Sequence, residues 1–361
     1  MHCDNESICR RGFISAAGSV LALGMLGGQG VGNGKVLAAE AKPAMKTSID
    51  PGSEPFGEVS HIGWVVKDLH RTVDYWQGIG LGEVSTQESH EMENLLYRGK
   101  KTDASVRWGW ATFGSVGVEL FEPKKGRTAY DEFLERHGEG VQHVAFAQAS
   151  RELLEERLAR LRKLGVGILQ RGTFRNGAGE YVYLDTTHTG GVCFELVYDP
   201  NYSGGSPQET PDGNKYPFGK IVQYATVVAE IDPVFDYYKK LGFGMRNIDR
   251  DNKGLLRRYR AEEEDLRMHM GWGKFGDTTL EMIQPTRGRS IYKDYLATYG
   301  DGFHHIAFMV DDMDRAVAAM RERGVSVSQD GAWGKQEVEG RFAYLETDLI
   351  GGLAIELLWS A

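Results

Sequence analysis

Cysteine is nearly absent from this chain, with three in 361 residues, at positions 3, 9 and 193. Two of them lie in an N-terminal stretch that reads as a removable signal. The processed chain then keeps Cys193 alone and can form no internal disulfide. Long apolar runs are missing too. The stretch from Ala16 to Gly27 is Gly/Ala-rich and too short for a good membrane span. There is no excess of positive charge: 42 Lys and Arg face 51 Asp and Glu, a net charge of −9. That balance argues against nucleic acid as a partner and against adhesion to anionic membrane, and no basic stripe is interleaved with aromatics. What remains, 41% hydrophobic and 26% charged, is ordinary for a globular protein, and the length accommodates two domains.

Arg10-Arg11-Gly-Phe-Ile-Ser15 precedes the Gly/Ala stretch, and Val36-Leu-Ala-Ala-Glu-Ala41 offers small-residue cleavage sites ending at Ala38 or Ala41. The segment 1–41 resembles a twin-arginine export signal, which implies a periplasmic or extracellular protein delivered folded. Its loss removes three positive and three negative residues, so the charge stays at −9. A polar leader occupies 42–56.

The main positive feature is a repeat. His61, Glu119, His143 and Glu195 recur as Gln223, Glu281, His305 and Glu356, at offsets of 162, 162, 162 and 161 residues. Each Glu sits inside a short run rich in strand formers: Val116-Gly-Val-Glu-Leu-Phe121, Val192-Cys-Phe-Glu-Leu-Val197, Thr279-Leu-Glu-Met-Ile283 and Leu353-Ala-Ile-Glu-Leu-Leu358. A lone carboxylate of this kind usually faces water from an edge strand. Four in matched places, each with a copy or a matching His, point instead to buried carboxylates, which are costly unless paired or bound to a metal. Strand alternation puts them on one face.

The rest is equally regular. Asp68 reads as the N-cap of a helix that carries Leu69, Val73 and Trp76 and stops near Gly78. Its counterpart begins at Asp232-Pro233, a cap followed by proline. Second helices run from Ser150 to Leu164 and from Asp312 to Arg323, each ended by Gly. Gly126-Arg-Thr-Ala-Tyr130 is echoed by Gly288-Arg-Ser-Ile-Tyr292. Asp199 to Gly219 is rich in Gly, Pro, Ser and Asn and reads as a linker. The expected division is a first domain at 57–200, a linker at 201–217 and a second domain at 218–361.

His61-Ile-Gly-Trp-Val-Val, Glu119-Leu-Phe-Glu-Pro123, Gly138-Glu-Gly-Val-Gln-His143 and Phe194-Glu-Leu resemble the vicinal oxygen chelate superfamily of glyoxalase I, methylmalonyl-CoA epimerase and the extradiol dioxygenases. So do Glu281-Met-Ile-Gln-Pro285, Gly300-Asp-Gly-Phe-His-His-Ile-Ala-Phe and Ala354-Ile-Glu-Leu in the second half. The resemblance covers nearly all of the chain after the signal. It implies an α+β fold of four βαβββ modules forming two cupped mixed sheets flanked by helices.

It also implies a divalent metal (Zn, Ni, Co, Mn or Fe) held by His61, Glu119, His143 and Glu195, and a second held by Gln223, Glu281, His305 and Glu356. The implied substrate is small, has two adjacent oxygens and reacts through a metal-stabilised enediolate. The implied proton-transfer groups are Glu195 and Glu356, with Asp103 and Asp265, themselves 162 apart, as further candidates. Arg127 and Arg289 could hold an anionic group on the substrate. Isomerase, epimerase or lyase chemistry competes with Fe(II) ring cleavage by His61, His143 and Glu195, and with ligand binding without catalysis. Each half is expected to enclose its own site, with sites between halves as the alternative. The assembly is expected to be a monomer or a homodimer.

Overall fold

The computed structural model describes residues 56–202, 215–334 and 338–361. The segment read as an export signal, the expected leader except Phe56, which is buried in the core, and most of the expected linker lie outside these residues. The first half runs β1 (Val59–Val65), α1 (Leu69–Ile79), β2 (Ser85–Glu91), β3 (Glu93–Tyr97), β4 (Lys100–Lys101), β5 (Ser105–Phe113), β6 (Val116–Lys125), α2 (Ala129–Arg136), β7 (Gly140–Ala147), α3 (Arg151–Lys163), β8 (Ile168–Phe174), β9 (Gly179–Leu184) and β10 (Cys193–Tyr198). The second repeats it as β11 (Ile221–Val227), α4 (Ile231–Leu241), β12 (Asn247–Asn252), β13 (Leu256–Tyr259), β14 (Glu262–Glu263), β15 (Arg267–Phe275), β16 (Thr278–Arg287), α5 (Ile291–Tyr299), β17 (Gly302–Met309), α6 (Met313–Glu322), β18 (Val327–Trp333), β19 (Gly340–Leu345) and β20 (Ala354–Ser360).

Each half forms one curled ten-stranded mixed sheet, ordered β2-β5-β6-β1-β7-β10-β9-β8-β3-β4 and β12-β15-β16-β11-β17-β20-β19-β18-β13-β14. The two ends of each sheet are nearly continuous in sequence. Only Met92 separates β2, beside β5, from β3, beside β8. One bent length of chain therefore crosses the seam and closes the sheet into a cup, as the four-module expectation requires.

The convex faces and helices α1, α3, α4 and α6 share one apolar core that spans both halves. Phe56 stacks on Phe243 at 4.3 Å between centroids, and Phe113 meets Phe308 at 5.1 Å. Trp76 Nε1 donates to Ile350 O across the halves at 2.9 Å. Each cup interior has its own smaller cluster, to which α2 contributes Tyr130 and Phe133 and α5 contributes Tyr292 and Tyr295.

Some boundaries differ from the sequence reading. Asp68 does cap α1, accepting from Arg71 N, but the helix runs through Gly78 and ends at Gly80, whose φ of 129° suits glycine. In α4 the N-cap position is Glu230, not Asp232, and no side chain of its own caps it. Gln284 on β16 accepts from Ile231 N instead, at 3.0 Å, and Asp232 pairs with Arg250. A distant strand has taken over a local signal. Helices α2 and α5 were not anticipated, although Thr128 and Asp131 form a complete capping box at the start of α2.

Candidate metal centres

The four key strands of each half are neighbours: β6, β1, β7 and β10 in the first, β16, β11, β17 and β20 in the second. Gly63 on β1 lies in register with Glu119 on β6 and His143 on β7, and Glu195 on β10 lies beside Ala145. Strand alternation then sends all four side chains into one cup. Each set comes from a single sheet, in line with sites inside rather than between the halves.

In the first cup His61 Nε2 lies 3.4 Å from Glu119 Oε2 and 3.2 Å from Glu195 Oε2, and His143 Nε2 lies 3.1 Å from the same Glu195 oxygen. In the second, His305 Nε2 lies 3.5 Å from Glu281 Oε2 and 3.2 Å from Glu356 Oε2. Gln223 Nε2 donates to Glu281 at 2.9 Å and to Glu356 at 3.3 Å. The donor atoms of His61, Glu119 and His143 all fall within 4.8 Å of one another, as do those of Glu281, His305 and Glu356.

The neighbouring residues aim the rings. His143 Nδ1 donates to Gln142 Oε1 at 2.6 Å, which fixes the tautomer and leaves the Nε2 lone pair facing the cup. His61 Nδ1 is held by Ser60 Oγ at 2.7 Å. In the second half His304, at the place of Gln142, sets its Nδ1 2.8 Å from His305 Nδ1. Burial holds His304 neutral while the carboxylates keep His305 protonated, so the His304 nitrogen accepts from His305. Its position in the sequence gave no hint of this supporting role, although the Gln142 match did single out His305 as the inward ring. Tyr183 and Tyr344 pack against His143 and His305, and their hydroxyls bond Tyr130 and Tyr292 at 2.7 and 2.8 Å. Neither tyrosine pair was picked out by sequence, though both pairs repeat at 161–162 residues.

The electrostatics show what the two sets lack. Burial raises Glu119 to about 7 against the pull of His61. Burial also pushes Glu195 upward, but His61 and His143 outweigh it and bring the group down to about 2. His305 is depressed by burial and lifted more by the close carboxylates of Glu281 and Glu356, to about 9. Burial and the charge of Glu356 raise Glu281 against the pull of the nearby His305. His61 Nε2, His143 Nε2, Glu195 Oε2 and His305 Nε2 are buried without any well-formed hydrogen bond. Orphaned buried donors and acceptors are a standing cost; three of these atoms sit in the first cup and one in the second, and a divalent cation in each would satisfy them. Ligands about 2.0–2.2 Å from a shared ion lie roughly 3–4.4 Å apart, the spacing seen here. Gln223 could join such a set through Oε1 once its amide is turned.

The other candidates lie elsewhere. Asp103 and Asp265 are exposed in the turns before β5 and β15, and Asp265 is held by Arg267 and Arg287. Neither belongs to a cluster, so the structure does not bring them to the chemistry. Arg127 is paired with Glu135, and Arg289 with Glu262 and Glu264, all on the surface. The cups also differ in openness: the Glu119 side chain is 22% exposed and that of Glu281 only 5%.

The family model described as Glyoxalase/Bleomycin resistance protein/Dioxygenase superfamily matches residues 60–184 and again 222–344. Among solved structures, a mutant 4-hydroxymandelate synthase from Streptomyces coelicolor is similar at 14% identity and a TM-score of 0.53, over 85% of this chain and 93% of that one. A xylose isomerase-like TIM barrel/4-hydroxyphenylpyruvate dioxygenase fusion protein is similar at 16% identity and a TM-score of 0.51, over 89% of this chain and 51% of that one. At such identities the likeness is one of fold. A search of curated proteins finds no match.

Proposed function

The chain belongs to the Glyoxalase/Bleomycin resistance protein/Dioxygenase superfamily, and from that premise we propose that it is an exported, metal-dependent isomerase, epimerase or lyase acting on a small compound with two adjacent oxygens. The observation that carries this reading is the cluster of nitrogen and carboxylate donors buried in each cup, with His61 Nε2, His143 Nε2 and Glu195 Oε2 orphaned in the first and His305 Nε2 in the second. His61, Glu119, His143 and Glu195 would hold one divalent ion, and Gln223, Glu281, His305 and Glu356 another. A cation there supplies Lewis-acid stabilisation of the charge that develops when a carbon acid becomes an enediolate. The chain's own part is to move the proton. Glu195 and Glu356 are our candidates for this, since each is buried with a carboxylate oxygen 3.1–3.2 Å from an imidazole nitrogen. The tyrosine pairs keep water away from that edge of each cup.

One observation favours a second reading for the first cup alone. His61 and His143 converge on the same Glu195 oxygen, a two-His, one-carboxylate set suited to Fe(II) oxygen chemistry. Gln223 breaks that set in the second cup. Metal analysis per chain, with oxygen uptake on catechols, separates the two. Absence of any divalent metal, together with unaltered behaviour of His143→Ala and His305→Ala, would overturn both. Isolation from the export compartment tests the localisation.

A further inference from the structure

The two cups differ at several inward positions, His61 against Gln223 and Gln142 against His304 among them, and one further difference brings in a permanently charged side chain. Arg257 on β13 is 8% exposed, and Leu95, 162 residues earlier on β3, is 1% exposed. Leu95 lies on the same side of its strand as Tyr97, which packs into the first cup. Arg257 reaches into the second. Its guanidinium lies over Phe342 at 5.5 Å from the centroid and puts Nη1 3.9 Å from Met268 Sδ, both residues lining that cup. The charge is felt by Glu281 and Tyr292 inside the site.

The local chain is built around this side chain. Nε donates to Lys253 O at 2.8 Å and Nη2 to Asn252 Oδ1 at 2.6 Å. Gly254, at φ +63°, leaves the space, since a Cβ there would sit 3.1 Å from Nε and 3.2 Å from Nη2. Arg257 forms no ion pair among the described residues, and Nη1 faces only a thioether, a weak acceptor. A guanidinium so placed has unspent hydrogen-bonding capacity aimed into the cup.

Charge accounting points the same way. With a divalent ion and neutral imidazoles, two glutamates neutralise the first cup, whereas Arg257 leaves the second with one positive charge in excess. A buried excess charge is costly until an opposite charge arrives.

We infer that the second cup takes an anionic ligand, a vicinal-oxygen compound bearing a further carboxylate, and that Arg257 selects it by a charged, forked hydrogen bond, whereas the first cup, with Leu95 in that place, takes a neutral compound. The inference rests on the proposed metal-dependent reading and names the substrate class for one of its sites.

The test uses the full-length protein and two probes with the same hydroxy-acid end. Malate carries a second carboxylate, and lactate has a methyl group in its place. Both are titrated calorimetrically into the parent, Arg257→Leu and Arg257→Lys, with metal content measured on every sample. Arg257→Leu should weaken malate at least about tenfold and lactate less than about twofold, and Arg257→Lys should fall between because it keeps the charge and loses the fork. An unchanged malate-to-lactate ratio in a folded Arg257→Leu protein overturns the inference, and a fully loaded metal complement in that sample leaves the metal reading standing. If no sample holds metal, the metal reading fails, and the same ratio on metal-free protein still decides the role of Arg257.

Discussion

The sharpest quantitative consequence of the second cup concerns protons. His305 titrates near 9 in the empty protein because Glu281 and Glu356 hold its proton against burial. That proton sits on the nitrogen a cation would need, so binding must expel it. Below about pH 9, each unit of pH therefore changes apparent affinity about tenfold, and between pH 6.5 and 8.5 the rise is about 100-fold, or about 2.7 kcal/mol at 1.36 kcal/mol per unit. The assay is a Mn²⁺ titration of His143→Ala protein, in which the first cup has lost a ligand, across that range. Paired buffers of different ionisation enthalpy count the protons released. About one proton per ion at pH 7.5 is expected from His305 alone. Affinity that stays flat from pH 6.5 to 8.5, or binding without proton release, would refute the reasoning.

The metal-free protein should lose stability as pH rises from 6.5 to 9. The native state holds the His305 proton more tightly than the unfolded chain, so the stabilisation present below 6.5 disappears through the folded value, by about 3 kcal/mol from this group; urea melts of chelator-treated protein at pH 6.5 and 9 measure it. Gly63→Ala should disable the first cup and spare the second. A Cβ there would lie 1.7 Å from His143 Cε1, whereas Ala225 already fills the matching place beside His305, so metal stoichiometry should fall from two per chain to one. Asp103→Asn and Asp265→Asn should leave metal content and turnover within about twofold, since exposed changes outside a site are usually small; a larger loss would return these residues to the chemistry. Phe275→Ala should cost about 3–5 kcal/mol and shift a single unfolding transition for both halves, because Phe275 packs on Phe146, Phe194 and Phe243 in the shared core. Two separate transitions would count against that shared core.

The duplicated βαβββ pattern and the inward carboxylates were legible because a buried Glu in an apolar strand is expensive wherever it occurs. What stayed hidden depends on distance in sequence. Strand β2 is polar on both faces and β12 holds a single apolar residue, Ile248, so neither carries an alternation to read. Helices α2 and α5, of eight and nine residues, are too short for periodicity to stand out, so only a capping box marked one of them. The cap of α4 is Gln284, some fifty residues downstream, and no local rule locates it. Asp103 and Asp265 share a register with the ligand strands, but that register cannot say which end of a strand lies at the rim. Arg257 sits among three arginines, at 257, 258 and 260, that the sequence does not set apart; only the alternation of β13 turns one of them inward.

The chain that crosses each seam also bears on how these sheets meet their neighbours. An open sheet offers a row of unpaired backbone groups on which another copy can add a strand, the first step toward aggregation. Here the outermost long strands are Ser85-Thr-Gln-Glu-Ser-His-Glu91 and Asn247-Ile-Asp-Arg-Asp-Asn252, densely polar and charged, and the opposite margins end in the two-residue strands β4 and β14. Strand addition would bring like charges together and find almost no length to pair with. The bent crossing that shapes the cup thus also blunts its margins, and leaves each sheet a poor template for strand addition.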